Sequence, residues 1–399
     1  MSLWLKKYWS LVIFLIGVII FCLIEAQGKG DFYIFLSASR DIFKGINIYA
    51  TTYVDGYHYY YDTFFALLIS PLQLLPLYVA KVIWLISNVW FTYRIWKICS
   101  YYLPIDILSP KKKKLFTTLC FIFVFSLWQR NIHLAQMTIF LLFLSLEGLY
   151  QVQQKRIVVG SLLISIGITV KLLPLLLIPY LIYRAKWKAT STVIIGVIAV
   201  LFLPSLVIGF DYNLFLLKER WDIINPINSE HVLDVSERSF HSLTTLLSTL
   251  LIEDASNPYT LDLKRNIANI SIEQFKIVIT LVRLAFIIFA LYFLNSLPFT
   301  NPKNKIQSFY EMSYIFLAIP LIFPHQQHYA FYFAFPTITY ILFYFFYHNF
   351  FNGQPTKKYV VIALLFVIFF LLNSHFILGA YRDLYDHYKT LTYGILMLI

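Results

Sequence analysis

Residues 359–378 read YVVIALLFVIFFLLNSHFIL, a stretch that contains no Asp, Glu, Lys or Arg. The hydrocarbon core of a bilayer is about 30 Å thick, and a helix that rises about 1.5 Å per residue crosses it with about 20 apolar residues. The stretch therefore predicts a membrane-spanning helix. Four further segments are close to that length and nearly free of charge, and they lie at 9–24, 193–208, 277–294 and 329–347.

The composition of the whole chain agrees with several such helices. Of 399 residues, 59% are hydrophobic and 13% are charged, whereas soluble domains average about 25% charged residues. The 30 Tyr and 38 Phe residues suit a lipid-facing surface with aromatic belts at its edges. The net charge of +12 is typical of basic cytoplasmic loops, so we expect membrane lipids and no nucleic acid as partners. Cys22, Cys99 and Cys120 lie in or beside apolar segments, which predicts neither a disulfide framework nor a metal site.

Clusters of basic residues predict the orientation, because short cytoplasmic loops are rich in Lys and Arg. Lys6-Lys7 precedes an apolar run that we interpret as an uncleaved first helix with its N-terminus inside. The other clusters are Arg94/Lys97 with 111–114, Lys155-Arg156, Arg184/Lys186/Lys188, Lys303/Lys305 and Lys357-Lys358.

If all six clusters are cytoplasmic, residues 63–75 do not cross the membrane, and 157–183 forms two short helices that leave and return around Lys171. The alternative is one continuous span over 157–183, about 40 Å long, which would invert everything downstream. We favour the broken pair.

This topology places most of the unusual polar residues on the outer face of the membrane. The outer pieces are 27–62, 129–136, the Lys171 turn, 210–270 and 324–328. No G-x-G-x-x-G, Walker A or H-E-x-x-H motif occurs in the sequence, and no repeat is apparent. We therefore expect one integral membrane domain, 1–399, all-α and polytopic. It should have about 10–12 transmembrane segments and surface helices in the first outer loop, 27–62, with a second, long outer loop at 210–270.

Asp31 lies a few residues past the first helix and is followed by an amphipathic stretch, 32–44. It is either a solvated loop carboxylate or a general base at the membrane surface, where a reduced dielectric tunes the pKa. The residues alone leave both interpretations open.

A set of motifs in a fixed order resembles glycosyltransferase family 87, which contains polyprenyl-phosphate-mannose-dependent mannosyltransferases of the GT-C superfamily. The motifs are Asp31-Phe32, Gly45-Ile-Asn-Ile-Tyr49, Pro71-Leu-Gln-Leu-Leu-Pro76, Trp84, Ala135-Gln136, Lys171-Leu-Leu-Pro174, Arg238-Ser239 and Pro324-His325-Gln-Gln-His328-Tyr329. The chain departs from the family's Tyr-Pro-Pro, Gly-Gln and Asn-Gln-Ser at Tyr60-Tyr61-Asp62, Ala135-Gln136 and Glu237-Arg238-Ser239, and it lacks a Trp before the His pair. These departures concern the acceptor and the sugar more than the reaction type.

The resemblance implies a GT-C-like bundle and assigns Asp31 as the catalytic base of an inverting transfer, with no cofactor and no metal. It implies donor-phosphate binding by Lys171, Arg238, His325 and His328. It implies substrate binding by Arg40, Tyr61, Gln136 and Ser239.

Each of these residues also has a plain structural interpretation. Lys171 could snorkel to the lipid headgroups, Arg238 could be an ordinary loop charge, and the two histidines could be interfacial. The tyrosines of 53–61 could stack on a sugar or anchor the loop at the headgroups. Arg283, inside an apolar helix, stays unassigned.

The sequence therefore predicts a hexosyltransferase of the cell membrane with its active site on the outer face. By the resemblance, it transfers mannose from a polyprenyl-phosphate sugar to a glycan or glycolipid acceptor. Two alternatives stay open, a transporter or flippase for a lipid-linked glycan and a lipid-linked glycan polymerase. The lack of an internal repeat argues against the transporter, since transporters often show one.

Overall fold

The structure is a computed structural model that describes residues 3–28, 30–225, 230–256, 260–294, 296–348 and 355–399. Within these ranges the regular structure is helical, and the one β-type pairing is an isolated bridge between Phe240 and Gln327. The all-α class predicted from the apolar segments is confirmed.

The structure has twenty α-helices within the described ranges. The first ten are α1 Leu3–Glu25, α2 Phe32–Asp41, α3 Thr63–Leu68, α4 Leu77–Tyr102, α5 Pro110–Phe123, α6 Phe125–His133, α7 Thr138–Gln153, α8 Ile157–Val170, α9 Leu177–Tyr183 and α10 Trp187–Phe202. The others are α11 Ser205–Ile208, α12 Phe210–Ile224, α13 Glu230–Leu233, α14 Leu243–Leu251, α15 Ile272–Phe293, α16 Lys305–Ile322, α17 Phe335–Tyr347, α18 Pro355–Ile377, α19 Arg382–His387 and α20 Thr390–Leu396.

Three described stretches are long and apolar enough to cross a membrane: Trp187–Ile208, His328–Tyr347 and Lys358–His375. A fourth crosses if α5 and α6, bent by 52° at their junction, act as one span. Large apolar side chains face outward on these helices, for example Ile195 and Phe366, each 66% exposed. The chain is thus a polytopic membrane protein. Several apolar helices, α7 and α8 among them, are shorter than a full span, and the number of ten to twelve segments stays a prediction.

Helices α4, α7 and α8 form the frame beneath the polar residues. Ring contacts pair Trp84 with Phe140, Phe91 with Phe143 and Tyr101 with Tyr150, so α4 and α7 run in the same direction. Helix α8 runs back against α7 with glycines at the crossing. A Cβ on Gly148 would lie 2.8 Å from the carbonyl oxygen of Gly160, so both positions need a residue without a side chain.

The chain breaks at Lys171, as predicted. Helix α8 ends at Val170, Lys171 is extended, and a 3-10 turn at Leu173–Leu176 leads into α9. The Ser161 hydroxyl donates to the carbonyl oxygen of Ala189 and the Ser165 hydroxyl to that of Val193, so α8 and α10 run in parallel. Two successive parallel helices require a return between them, which excludes one continuous span over 157–183.

Residues 63–75 are likewise two short pieces, α3 and a 3-10 helix at Ser70–Leu74. They pack against α2, where the Ser39 hydroxyl donates to the carbonyl oxygen of Ala66 and the Gln73 amide donates to the Ser39 hydroxyl. With α2 and a 3-10 turn at Ile42–Lys44, they form a layer of short helices after α1. The position of residues 27–62 at the outer membrane surface stays a prediction. Helix α12 joins this layer, because Asn47 donates to Glu219 at 2.7 Å. Part of the predicted loop 210–270, at 226–229 and 257–259, lies outside the described residues.

The bundle has two chemically different ends. At one end, here called the basic end, the Gln154 amide donates to the Tyr101 hydroxyl, the Lys305 ammonium lies over the Tyr101 ring, and Lys186 donates to Asn301. These contacts bring together four of the predicted basic clusters. The opposite end, called the Asp31 end, holds the start of α2, the start of α7 and the Lys171 turn.

Candidate active site

Asp31 is held in place by its own backbone N–H and by the packing of the next residue. Its N–H donates to the carbonyl oxygen of Leu134 at 3.1 Å. The next residue, Phe32, stacks on Trp84 at 5.8 Å, and the Trp84 indole N–H donates to the carbonyl oxygen of Ala135 at 3.0 Å. The start of α2 is therefore tied to the turn that precedes α7.

That turn aims Gln136 at Asp31. Ala135 has a φ of 52°, a left-handed conformation that glycine adopts without steric cost. The family's Gly-Gln at this place suits such a turn, and the chain keeps the turn with alanine. The Gln136 amide nitrogen donates to Asp31 Oδ2, and the side chain is buried.

The same glutamine connects Asp31 to two further predicted residues. The Tyr61 hydroxyl donates to Gln136 Oε1 at 3.3 Å, and the Lys171 ammonium lies 5.8 Å from the centre of the Tyr61 ring. Phe35 packs edge-on against Tyr61 at 5.0 Å and holds the ring in place. Residues from four separate parts of the chain thus meet at the Asp31 end, in the order Asp31, Gln136, Tyr61, Lys171.

Burial and the neighbouring charges tune both ionisable groups. The pKa of Asp31 is raised to about 6, mainly because the side chain is buried. The Gln136 hydrogen bond opposes this rise, the Glu237 charge adds to it, and the charges of Lys171 and Arg130 oppose it. Burial lowers the pKa of Lys171 to about 8, against the opposing effect of the Asp31 charge. Near neutral pH the pair therefore holds a carboxylate and an ammonium, one able to accept a proton and the other to neutralise an anion.

Two other carboxylates of the first outer loop are engaged elsewhere. Asp62 is fully buried, pairs with Arg220 at 2.5 Å and accepts the N–H of Phe64 at the start of α3. Asp41 pairs with Lys44 at 3.0 Å on the surface. Asp31 differs from both, since its interactions are with Gln136 and with more distant charges.

The two predicted histidines do not share a face. His325 has a φ of 58°, donates its N–H to Asp234 at 2.7 Å and stacks on Phe240 at 4.9 Å. His328 begins a 3-10 helix and is buried, with its ring 4.8 Å from that of His375. The left-handed backbone at His325 interrupts the helical spacing that would align them.

The Arg238 segment lies beside the histidine segment. Arg238 pairs with Asp383 at 3.0 Å and Asp386 at 4.0 Å, both on helix α19. The Ser239 hydroxyl donates to Glu237 at 3.3 Å, and Gln327 donates to the same carboxylate at 2.5 Å.

Arg40, near the end of α2, is exposed. It lies about 13 Å along the helix from Asp31 at about 1.5 Å per residue, so the structure does not bring it to the Asp31 carboxylate.

Sequence reasoning missed the charges that flank Asp31. In the sequence, Glu237 stands only where the chain departs from a family motif and Arg130 only within the outer piece 129–136, yet the charges of both act on the pKa of Asp31. Arg220 also approaches the site, because it donates to the carbonyl oxygen of Thr169, two residues before Lys171. Arg283, left unassigned, donates to the Thr244 hydroxyl at 2.7 Å.

The sequence model of glycosyltransferase family 87 matches residues 59–301. The match includes Tyr61, Gln136 and Lys171 at the site, whereas Asp31 and the two histidines flank it. No curated protein matched the chain. The family match spans more than half of the 399 residues, and the chain belongs to glycosyltransferase family 87 and is a glycosyltransferase.

Proposed function

We propose that the protein transfers a hexose, mannose in the first instance, from a polyprenyl-phosphate sugar to a hydroxyl of a glycan or glycolipid acceptor, with inversion. The observation that carries the proposal is the arrangement of Asp31, Gln136, Tyr61 and Lys171. The Asp31 carboxylate accepts from Gln136, Gln136 accepts from the Tyr61 hydroxyl, and the Lys171 ammonium lies over the Tyr61 ring, in a partly buried place.

In the proposed step the acceptor oxygen attacks the anomeric carbon as Asp31 takes the proton of the hydroxyl. The bond between the anomeric carbon and the phosphate oxygen breaks, and polyprenyl phosphate leaves with the electron pair. A single displacement inverts the anomeric centre. Gln136 holds the Asp31 carboxylate in one orientation, which is the task of a positioning residue.

Lys171 suits the leaving phosphate, because negative charge develops there as the bond breaks. Its ammonium faces the Tyr61 ring. The Tyr61 ring, beside the Lys171 ammonium, then provides an aromatic face against which a sugar ring can stack. The half-buried setting strengthens both electrostatic interactions relative to water.

The outer face of the membrane is the proposed side for the reaction. At the basic end, Lys186, Lys305 and neighbouring basic residues lie close together. Such clusters are typical of short cytoplasmic loops. The Asp31 end then faces outward, where surface helices such as α2 can lie among the lipid headgroups.

The test is a donor panel with the purified protein. Polyprenyl phosphates carrying mannose, glucose, galactose or an aminosugar are incubated with a mixture of envelope glycolipids, with nucleotide sugars as the control donors. Mass spectrometry follows released polyprenyl phosphate and glycosylated product, and NMR assigns the new anomeric centre. We expect stoichiometric release and an inverted product from a polyprenyl-phosphate hexose. Transfer from nucleotide sugars alone, or a retained configuration, would refute the proposal.

A further inference from the structure

A second carboxylate, that of Glu237, lies near Asp31 without a cation of its own. Its side chain is half-buried, and its charge acts on Asp31. Among the described residues Glu237 forms no ion pair, and the neighbouring Arg238 pairs instead with acids of α19. A carboxylate that is partly removed from water and lacks a cation is unfavourable unless hydrogen-bond donors surround it.

Two neutral donors reach one oxygen of this carboxylate. The Ser239 hydroxyl donates to Glu237 Oε2 at 3.3 Å, and the Gln327 amide donates to the same oxygen at 2.5 Å. Burial raises the pKa of Glu237, and these two hydrogen bonds lower it. No group in the described part of the chain donates to Oε1. The carboxylate is therefore oriented through one oxygen and keeps the acceptor capacity of the other.

The segment that holds Glu237 is tied to the turn that orients the base. The Gln136 N–H donates to the carbonyl oxygen of Asn131 at 2.8 Å, and the Asn131 amide donates to the carbonyl oxygen of Tyr329 at 2.9 Å. Two residues before Tyr329 stands Gln327, which holds Glu237. The Gln136 turn and Glu237 are thus fixed to the same stretch of chain, 327–329.

Lys171 reaches the site through a different element. Its ammonium lies over the Tyr61 ring and its charge acts on Asp31, whereas Glu237 is held by Gln327. In the proposed step Lys171 serves the donor phosphate and Asp31 touches the acceptor hydroxyl. Because Glu237 is linked to the base and not to Lys171, it suits the acceptor sugar better than the donor phosphate.

We propose that Glu237 determines acceptor specificity by accepting, at Oε1, a hydrogen bond from a hydroxyl or a protonated amine of the acceptor sugar. This assignment rests on the proposed function, in which Asp31 deprotonates a different hydroxyl of the same acceptor. The carboxylate accepts from either group and attracts the amine also by charge. An acceptor that lacks a donor at this position leaves the carboxylate unsatisfied, which lowers affinity by about tenfold or more.

Binding without turnover tests the assignment. Methyl glycosides of mannose, glucose and galactose are titrated against the protein in lipid nanodiscs, with saturation-transfer NMR as the readout. Each is compared with analogues in which one hydroxyl is removed or replaced by an amine. We expect one ring position at which removal weakens binding about tenfold and the amine strengthens it. Wild-type protein that distinguishes none of these glycosides would overturn the inference.

Variants assign the selectivity to the carboxylate. Glu237→Gln keeps an acceptor oxygen without the charge, so the advantage of the amine should disappear. Glu237→Ala should also lose the penalty for the missing hydroxyl. Glu219→Gln is the matched control, since Glu219 is half-buried and accepts from Asn47 at 2.7 Å, and it should keep the full selectivity. An amine advantage that persists in Glu237→Gln would contradict the assignment.

A second arm separates the acceptor sugar from the donor sugar. Native mass spectrometry compares the binding of polyprenyl-phosphate mannose with that of polyprenyl phosphate. We expect Glu237→Gln to leave the ratio of these two affinities unchanged. Loss of the preference for the mannosylated lipid, with glycoside selectivity intact, would place Glu237 at the donor sugar and overturn the inference. Transfer from nucleotide sugars alone, with glycoside selectivity that depends on Glu237, would refute the proposed function and leave Glu237 as a sugar contact.

Discussion

At the scale of single residues, the charges of Asp31 and Lys171 each affect the pKa of the other. Burial raises the pKa of the acid and lowers that of the base, and the charge of each partner moderates the shift of the other. A carboxylate and an ammonium therefore coexist within a narrow pH range. This property yields predictions that a merely solvated Asp and a snorkelling Lys would not share.

The first prediction is a bell-shaped pH profile of kcat/KM. Asp31, with a pKa of about 6, accepts a proton only when deprotonated, so the rate rises as pH passes that value. Lys171, with a pKa of about 8, loses its charge above that pH, so the rate falls again. Lys171→Arg should abolish the alkaline limb below pH 10 or so, because arginine stays protonated. An alkaline limb unchanged in Lys171→Arg would remove Lys171 from the mechanism.

The second prediction concerns the charge of Lys171 alone. Lys171→Met keeps the apolar stem and removes the ammonium, so insertion and thermal stability should stay normal. We expect kcat/KM for the polyprenyl-phosphate donor to fall by about 10²-fold or more, the scale of losing one preorganised group at developing charge. Steady-state kinetics with purified protein provides the measurement. Near-normal donor kinetics would show that Lys171 only snorkels.

The four residues that meet at the Asp31 end could be identified from the sequence, but the interaction partners of the predicted residues could not. Asp31, Tyr61, Gln136 and Lys171 stand in recognisable motifs, and the structure brings them together. Arg238 stands in a motif as well, yet its ion pairs are with Asp383 and Asp386, about 145 residues later in the chain. Which acid a given arginine meets is decided by tertiary packing, and no local pattern carries that information.

At the scale of helices, a buried ion pair is one of the contacts that hold the first outer loop to the rest of the bundle. The Asp62 carboxylate starts α3, and Arg220 of α12 joins it while donating to the last turn of α8. The pair thus connects three elements next to Lys171. Removing one partner of a buried pair leaves the other charge uncompensated.

We therefore predict that Asp62→Asn lowers the free energy of unfolding by about 3 kcal/mol or more, seen as a lower melting temperature in detergent. Asp41→Asn is the matched control. Its pair with Lys44 is exposed on the lysine side, and loss of such a pair costs about 1 kcal/mol or less. Equal melting temperatures for the two variants would contradict the anchoring role of Asp62.

The break at Lys171 could be predicted because two sequence features demanded it, the basic clusters on both sides and Pro174 after the turn. The position of α19 could not. Residues 382–387 carry no motif, and their ion pair with the Arg238 segment is a contact that only the folded chain makes.

At the scale of the whole molecule, the two ends of the bundle differ in charge, and the proposed function requires them to face opposite sides of the membrane. Cys22, Cys99 and Cys120 are free and buried, so a cysteine-free background is accessible. Single cysteines at exposed Gln27 and Ser236 should react with an impermeant thiol reagent in intact cells. Single cysteines at exposed Lys155 and Asn301 should react only after permeabilisation. Labelling of Asn301 together with Gln27 would break the predicted topology.

The central claim, that Asp31 is the base of the transfer, is tested most directly by the turnover of Asp31→Asn. The assay uses purified protein, the polyprenyl-phosphate sugar identified in the donor panel and its acceptor. Asparagine keeps the size and the Gln136 contact but accepts no proton from a hydroxyl. The loss of a positioned general base lowers the rate by about 10²–10⁴-fold. We predict a loss in that range, with an unchanged melting temperature and unchanged donor binding, while Asp41→Asn stays fully active. Turnover of Asp31→Asn within a few-fold of the wild type would contradict the claim.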